Sequence, residues 1–129
     1  MRVLALDYGS ARTGVAISDA SGMLARPLSV VAKAAKEKGL AEIATIVAEH
    51  DVERIVVGLP LTLRGEHGKQ AAETEVFVTA LRGRVSVPVE TADERFTTAL
   101  AQRFGGSAPE DAVAAAHLLQ SWLDAEARR

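Results

Sequence analysis

Three apolar runs follow one another within the first 31 residues, with too little chain between them for a helix, and that spacing limits the fold more than any other feature. The runs are Arg2 to Asp7, Val15 to Ser18 and Leu24 to Val31. Parallel neighbours need a crossover of roughly a dozen residues or more, whereas antiparallel neighbours close through a short turn. The three runs are therefore expected to pair antiparallel. Arg2 to Asp7 is nearly continuous in apolar character, as a strand covered on both faces must be. Pro27 sits inside the third run and cannot donate to a ladder, which predicts an edge or irregular strand there.

From about Lys38 the period changes. Leu40, Ile43, Ala44 and Val47 recur at helical spacing, with Glu37, Glu42 and Glu49 off that stripe. Arg54 to Gly58 then reads as a buried strand closed by Leu59-Pro60. Thr62 to Lys69, with two glycines and three charged residues, predicts a mobile loop. A helix is expected from about Gln70, with Ala72, Val76, Phe77 and Ala80 on one face. A strand from Val85 to Glu90 and a short helix from Thr97 to Phe104 follow. A last helix runs from about Pro109 to Ala127, opened by a Ser107-x-x-Glu110 capping box. This order predicts an α/β fold: a mixed five-stranded sheet, three strands antiparallel and the rest parallel, with helices on its faces.

Composition narrows the class. With 129 residues, 48% hydrophobic and 25% charged, residues 1–129 are expected to form a single domain around one core. Apolar stretches long enough to span a membrane are absent, and the N-terminus reaches Asp7 without the apolar region of a secretory signal. No cysteine occurs, which removes disulfides and thiolate zinc sites, and the three histidines lack metalloprotease spacing. These features predict a cytoplasmic protein with no membrane partner. A net charge of −2 argues against coating nucleic acid by bulk charge, but it leaves local phosphate contacts possible. Monomer and weak homodimer both stay open.

Three carboxylates stand out. Asp7 ends a strand that is otherwise apolar, so it should lie at the rim where open α/β sheets place ligands; Asp7-Tyr8-Gly9 also suits a tight turn. Glu94, in Ala92-Asp93-Glu94-Arg95, lies just past a strand end, where an acid can equally serve the dipole of a following helix. Asp111 shares a helical stripe with Ala115, Leu118 and Trp122, which should face the sheet. An acid on such a stripe requires a partner or a cation, because an unpaired buried charge is costly. If the three converge, an all-oxygen cluster suits Mg²⁺ or Mn²⁺ better than zinc. Divalent ions so held act on phosphodiesters, activating water and neutralising charge on the phosphate.

The residues also resemble a known family. Leu6-Asp7-Tyr8-Gly9-Ser10-Ala11-Arg12-Thr13-Gly14-Val15-Ala16-Ile17-Ser18-Asp19 looks like the opening motif of the YqgF family, also called RuvX. Val57-Gly58-Leu59-Pro60-Leu61 and Asp93-Glu94-Arg95-Phe96-Thr97-Thr98 are similar to its second and third motifs. Asp111 to Ala116 with Leu118 to Asp124 resembles its C-terminal block. The resemblance implies a ribonuclease H-like fold and a nuclease linked to 5′-end maturation of pre-16S ribosomal RNA, with an older link to Holliday junction resolution. It maps the family acids onto Asp7, Glu94 and Asp111, as catalytic and metal-binding residues. The implied partners are structured RNA or branched DNA. The chain departs from the family pattern at Ala11, where a basic residue is common. It departs again at Gly105 to Glu110, where a Lys/Arg-rich stretch is expected and no positive charge occurs.

Arg12, Arg64, Lys69 and Arg95 fall in or beside the segments flanking the predicted rim, and are candidate contacts for substrate phosphates. Asp93 reads as a helix-start residue, Asp19 as a hairpin closure, His117 and His67 as surface histidines, and Trp122 as packing. Two rival readings follow: a non-catalytic nucleic-acid-binding module on the same fold, and an actin-like ATPase or sugar kinase using Asp7 to Gly14 as its phosphate hairpin. The latter enzymes close two related domains around a nucleotide, where one is expected here.

Overall fold

The computed structural model describes residues 1–60, 68–93 and 109–129. Strand β1 (Val3–Asp7) has Val3, Leu4, Ala5 and Leu6 fully buried, as an apolar run without alternation requires. It pairs antiparallel with β2 (Arg12–Ser18), which pairs antiparallel with β3 (Ala25–Ala32). On its other side β1 runs parallel to β4 (Arg54–Leu59), and β4 runs parallel to β5 (Val89–Asp93). The sheet order is β3-β2-β1-β4-β5, the mixed arrangement expected. Pro27 lies on the edge strand β3, beside a register shift opposite Val15 and Ala16, so its missing N–H leaves no gap in the interior of the sheet.

The pleat sends alternate residues of β1 to opposite faces. Leu4 and Leu6 join a cluster with Ile43 of α1 (Glu37–Glu49) and with Phe77 and Leu81 of α2 (Lys69–Arg82). Val3 and Ala5 join the opposite cluster with Ala115, Ala116 and Leu119 of α3 (Glu110–Ala127). The small alanines let α3 lie close against β1, β2 and β3. Near its far end Gln120, 3% exposed, accepts a hydrogen bond from the Ala25 N–H at 2.9 Å and donates to the Met23 carbonyl at 3.0 Å. That glutamine stitches the helix to the β2–β3 hairpin.

Several expectations are corrected. Strand β5 begins at Val89 and ends at Asp93, four residues later than its predicted start and three later than its predicted end at Glu90. Val85 instead closes the turn after α2, donating to the Leu81 carbonyl at 3.2 Å, and Pro88 supplies only its carbonyl to Ile55. Asp93 is consequently the last residue of a strand and not the first of a helix. On α2 the buried face is Ala71, Thr74, Phe77, Val78 and Leu81, while Val76 is 70% exposed and Ala72 is exposed. On α1, Ile46 takes the buried position expected of Ala44. Helix α3 starts after Pro109, which has no side-chain capping bond, so no capping box opens from this position. Lys69 is the first residue of α2 and not part of a loop. Ser107, the short helix expected over 97–104 and the loop over 62–67 lie outside the described residues.

Candidate functional site

The carboxyl ends of β1, β4 and β5 lie at one edge of the sheet because those strands are parallel. Asp7 ends β1 there, half-buried. By the pleat it shares the face of Val3 and Ala5, which is the face covered by α3. Its antiparallel partner is Gly14, on the same face as Ala16. Directly over Gly14 sits the first turn of α3. A Cβ at residue 14 would meet the Asp111 carbonyl oxygen at 1.8 Å and the Ala112 nitrogen at 3.0 Å. The glycine is required here by space: any side chain would drive the helix off the strand. Asp7 and Asp111 are thereby brought to either side of one glycine, and cross-strand Cα partners lie only about 4.5–5.5 Å apart.

Asp111 was expected on a buried stripe, but its side chain is 39% exposed at the first turn of α3, so burial does not force a partner on it. It is paired all the same with Arg12, at the start of β2 and on the same face as Gly14. Its Nε lies 3.0 Å from Asp111 Oδ2, with the side chains 69% and 39% exposed. The α3 N-terminus favours the same carboxylate through its dipole. Such an exposed pair contributes at most about 1 kcal/mol to stability, so its interest is where it lies.

On the opposite face of the same rim, Tyr8 stacks on Phe77 with centroids 4.5 Å apart and an 18° interplanar angle. Burial, and secondarily the charge of Glu73, raise the Tyr8 phenol above its ordinary pKa of 10.0, keeping it a neutral donor. Tyr8, Gly9, Ser10, Gln70, Glu73 and Thr74 enclose a small polar cavity of about 50 Å³. Sequence reading did not single out Tyr8, Gly14 or Glu73. Tyr8 and Gly14 were visible only as members of the Asp7–Gly14 stretch, and Glu73 carried no signal.

The remaining candidates divide. Lys69 opens α2, exposed, one residue from the cavity-lining Gln70. Glu94, Arg95 and Arg64 lie outside the described residues, as does His67. Among the described residues no three His, Asp or Glu side chains form a metal-binding group. Asp7 and Asp111 are two oxygen donors on one face, which fits a hard divalent cation and not zinc. His117 is buried at 8% exposure, not on the surface, because α3 spreads a wide face over the sheet; burial lowers its pKa from 6.5. Asp19 does close the β2–β3 turn, accepting from Met23 and Leu24 N–H groups at 2.9 and 3.1 Å. Trp122 packs against the α3-side cluster, with the Arg54 guanidinium 5.9 Å from its ring centroid. A groove of about 350 Å³ beside Trp122, Asp93 and Arg128 lies along later turns of α3 and does not include Asp7 or Asp111.

A mixed sheet in this order, with an acid at the end of its central strand and another on the helix crossing it, defines the ribonuclease H-like class. RuvC of T. thermophilus in complex with a Holliday junction substrate matches with a TM-score of 0.65, covering 98% of this chain and 96% of RuvC at 18% identity. The fowlpox virus resolvase in complex with Holliday junction DNA matches with a TM-score of 0.59, covering 98% and 99% of the two chains at 10% identity. Those identities establish the fold alone. In sequence, a Chloroflexus aggregans protein named "Putative pre-16S rRNA nuclease" is 47% identical over 95% of this chain and 93% of its own length. A Desulforudis audaxviator protein of the same name is 41% identical over 96% and 94%. The pattern of the RuvX family, described as Holliday junction resolvase, matches residues 1–125. The chain belongs to the RuvX family, and with it to the nucleases, which hydrolyse phosphodiester bonds.

Proposed function

We propose that this chain is a divalent-metal-dependent nuclease acting in the cytoplasm on the 5′ end of pre-16S ribosomal RNA. The observation that supports this best is the seating of Asp111 over Gly14 beside Asp7, which puts two carboxylates from distant parts of the chain on one rim. Glu94, the residue after the end of β5, is proposed as the third donor. Mg²⁺ or Mn²⁺ held there would supply an activated water and neutralise charge building on the phosphate. Asp7, Glu94 and Asp111 would hold that ion, and only through it would they position the scissile phosphate. Arg12, Arg64, Lys69 and Arg95 are proposed to hold flanking phosphates. The names of the relatives support the ribosomal substrate. The family description and the likeness to junction-bound RuvC favour a second reading, cleavage of branched DNA.

The test is a Mg²⁺/Mn²⁺ cleavage assay on a pre-16S 5′ leader, single-stranded DNA and a four-way junction, with wild type, Asp7→Asn and Asp111→Asn. Metal-dependent cleavage of the leader, reduced about 100-fold or more in either variant, is expected. Preference for the junction would replace the RNA reading with the DNA one. Salt-sensitive binding without turnover on any substrate would leave a non-catalytic binding module.

A further inference from the structure

Arg12 and Asp111 are an unusual pair to find at a site meant for a cation. Asp111 offers one of its two oxygens, Oδ2, to the Arg12 Nε at 3.0 Å. Asp7 and Gly14 are cross-strand partners, and Arg12 lies two residues from Gly14 on the same face, so its charge stands on the side of the sheet that carries both acids. The Arg12 side chain is 69% exposed and sits outside the buried core. An arginine so placed can leave without disrupting the core.

We infer that Arg12 is a placeholder cation: it occupies the metal-facing oxygen of Asp111 in the metal-free protein and is released toward substrate phosphate when a divalent ion takes that oxygen. The inference rests on the reading of Asp7 and Asp111 as metal donors. Two physical facts drive the exchange. A doubly charged ion competes for the same lone pairs and repels the guanidinium. The released guanidinium keeps a planar fork of donors that matches two phosphate oxygens better than it matches one carboxylate oxygen through Nε. Arg12 is then a positioning residue whose service to the substrate depends on the ion. Metal occupancy and nucleic-acid affinity become linked, each favouring the other, as any coupling free energy requires. Residue 11 is alanine and carries no charge, so this exchange falls to Arg12 alone in its segment.

The experiment measures Mn²⁺ affinity by calorimetry or by electron paramagnetic resonance, without nucleic acid, for wild type, Arg12→Gln and Arg12→Lys. Removing the competitor should tighten Mn²⁺ binding by up to about fivefold in Arg12→Gln, the ceiling set by an exposed ion pair. Arg12→Lys, which keeps the charge, should stay within about twofold of wild type. In parallel, Arg12→Gln should bind an RNA oligonucleotide more weakly in the presence of a divalent ion. A merely structural role would give no tightening of metal binding. Unchanged or weaker Mn²⁺ binding by Arg12→Gln overturns the placeholder and leaves the nuclease reading standing. Absence of Mn²⁺ binding in all three proteins overturns the metal site, and the placeholder with it.

Discussion

Replacing Gly14 by alanine tests the seat of the site more directly than replacing any acid. The added Cβ would stand 1.8 Å from the Asp111 carbonyl oxygen and 2.3 Å from its carbon, both backbone atoms that cannot swing aside. Real Cβ contacts do not fall below 3.0 Å, so strand and helix must separate by at least about 1.2 Å. Overpacking of this kind costs about 1–3 kcal/mol. Gly14 does not sit at positive φ, so alanine recovers about 0.4–1 kcal/mol by restricting the unfolded chain. The net loss is at most about 2.6 kcal/mol and centres near about 1.3 kcal/mol, so at roughly 4 °C per kcal/mol for a chain of this size Tm should fall by about 5 °C. The chemical effect should be larger, because a misplacement of about 1 Å at a reacting centre costs on the order of 100-fold in rate. The assay pairs thermal unfolding with kcat/KM on the cleaved substrate. Gly83→Ala serves as control, since its Cβ would meet only the Ala80 carbonyl at an ordinary 3.4 Å. Wild-type kcat/KM and Tm in Gly14→Ala would refute the claim that this close approach positions Asp111.

Further outcomes concern pH. His117 has its folded pKa lowered from 6.5 by burial, so the unfolded chain binds the proton more readily. Stability should therefore fall as pH drops below about 6.5, and urea unfolding of His117→Gln should show a flatter profile there. The Asp19 carboxyl is lowered to about 2 by bonds from Ser21, Leu24 and Met23. Its contribution to hairpin stability should be complete above pH 4 and lost as pH approaches 2; Asp19→Asn should abolish that acid-range dependence, measured by amide exchange in the hairpin.

The antiparallel start was legible because run length and connection length are local properties. The parity that turns Asp7 toward α3 follows from the same pleat. The face of α2 was not legible: Ala71 and Ala72 are alike in composition but opposite in burial, and Thr74 is buried at 1% exposure by bonding the Gln70 carbonyl at 2.8 Å. The shift of β5 arose because Val85 and Val87 look like strand residues, yet they pack as a linker before Pro88. At the site, the stripe Ala115, Leu118 and Trp122 pointed α3 at the sheet, but it overstated the burial of Asp111, which stands 39% exposed at the first turn. That its partner is Arg12 could not be read, since the two meet only after the whole sheet has formed. The role of Gly14 was hidden for the same reason, since an absent side chain has no chemistry to announce.

Helix α3 is anchored twice, by the notch at Gly14 and by the hydrogen bonds of Gln120 to Ala25 and Met23. Residues 111 and 120 are separated by nine rises of 1.5 Å, about 13.5 Å of stiff rod. Between these anchors the buried positions of the helix are Ala112, Ala115, Ala116, His117, Leu118 and Leu119. Over that length a tilt of about 5° at Gln120 would displace Asp111 by about 1 Å, so the two anchors together set where the acid stands. A substitution remote from any substrate could thus detune catalysis while leaving every reacting group in the chain intact.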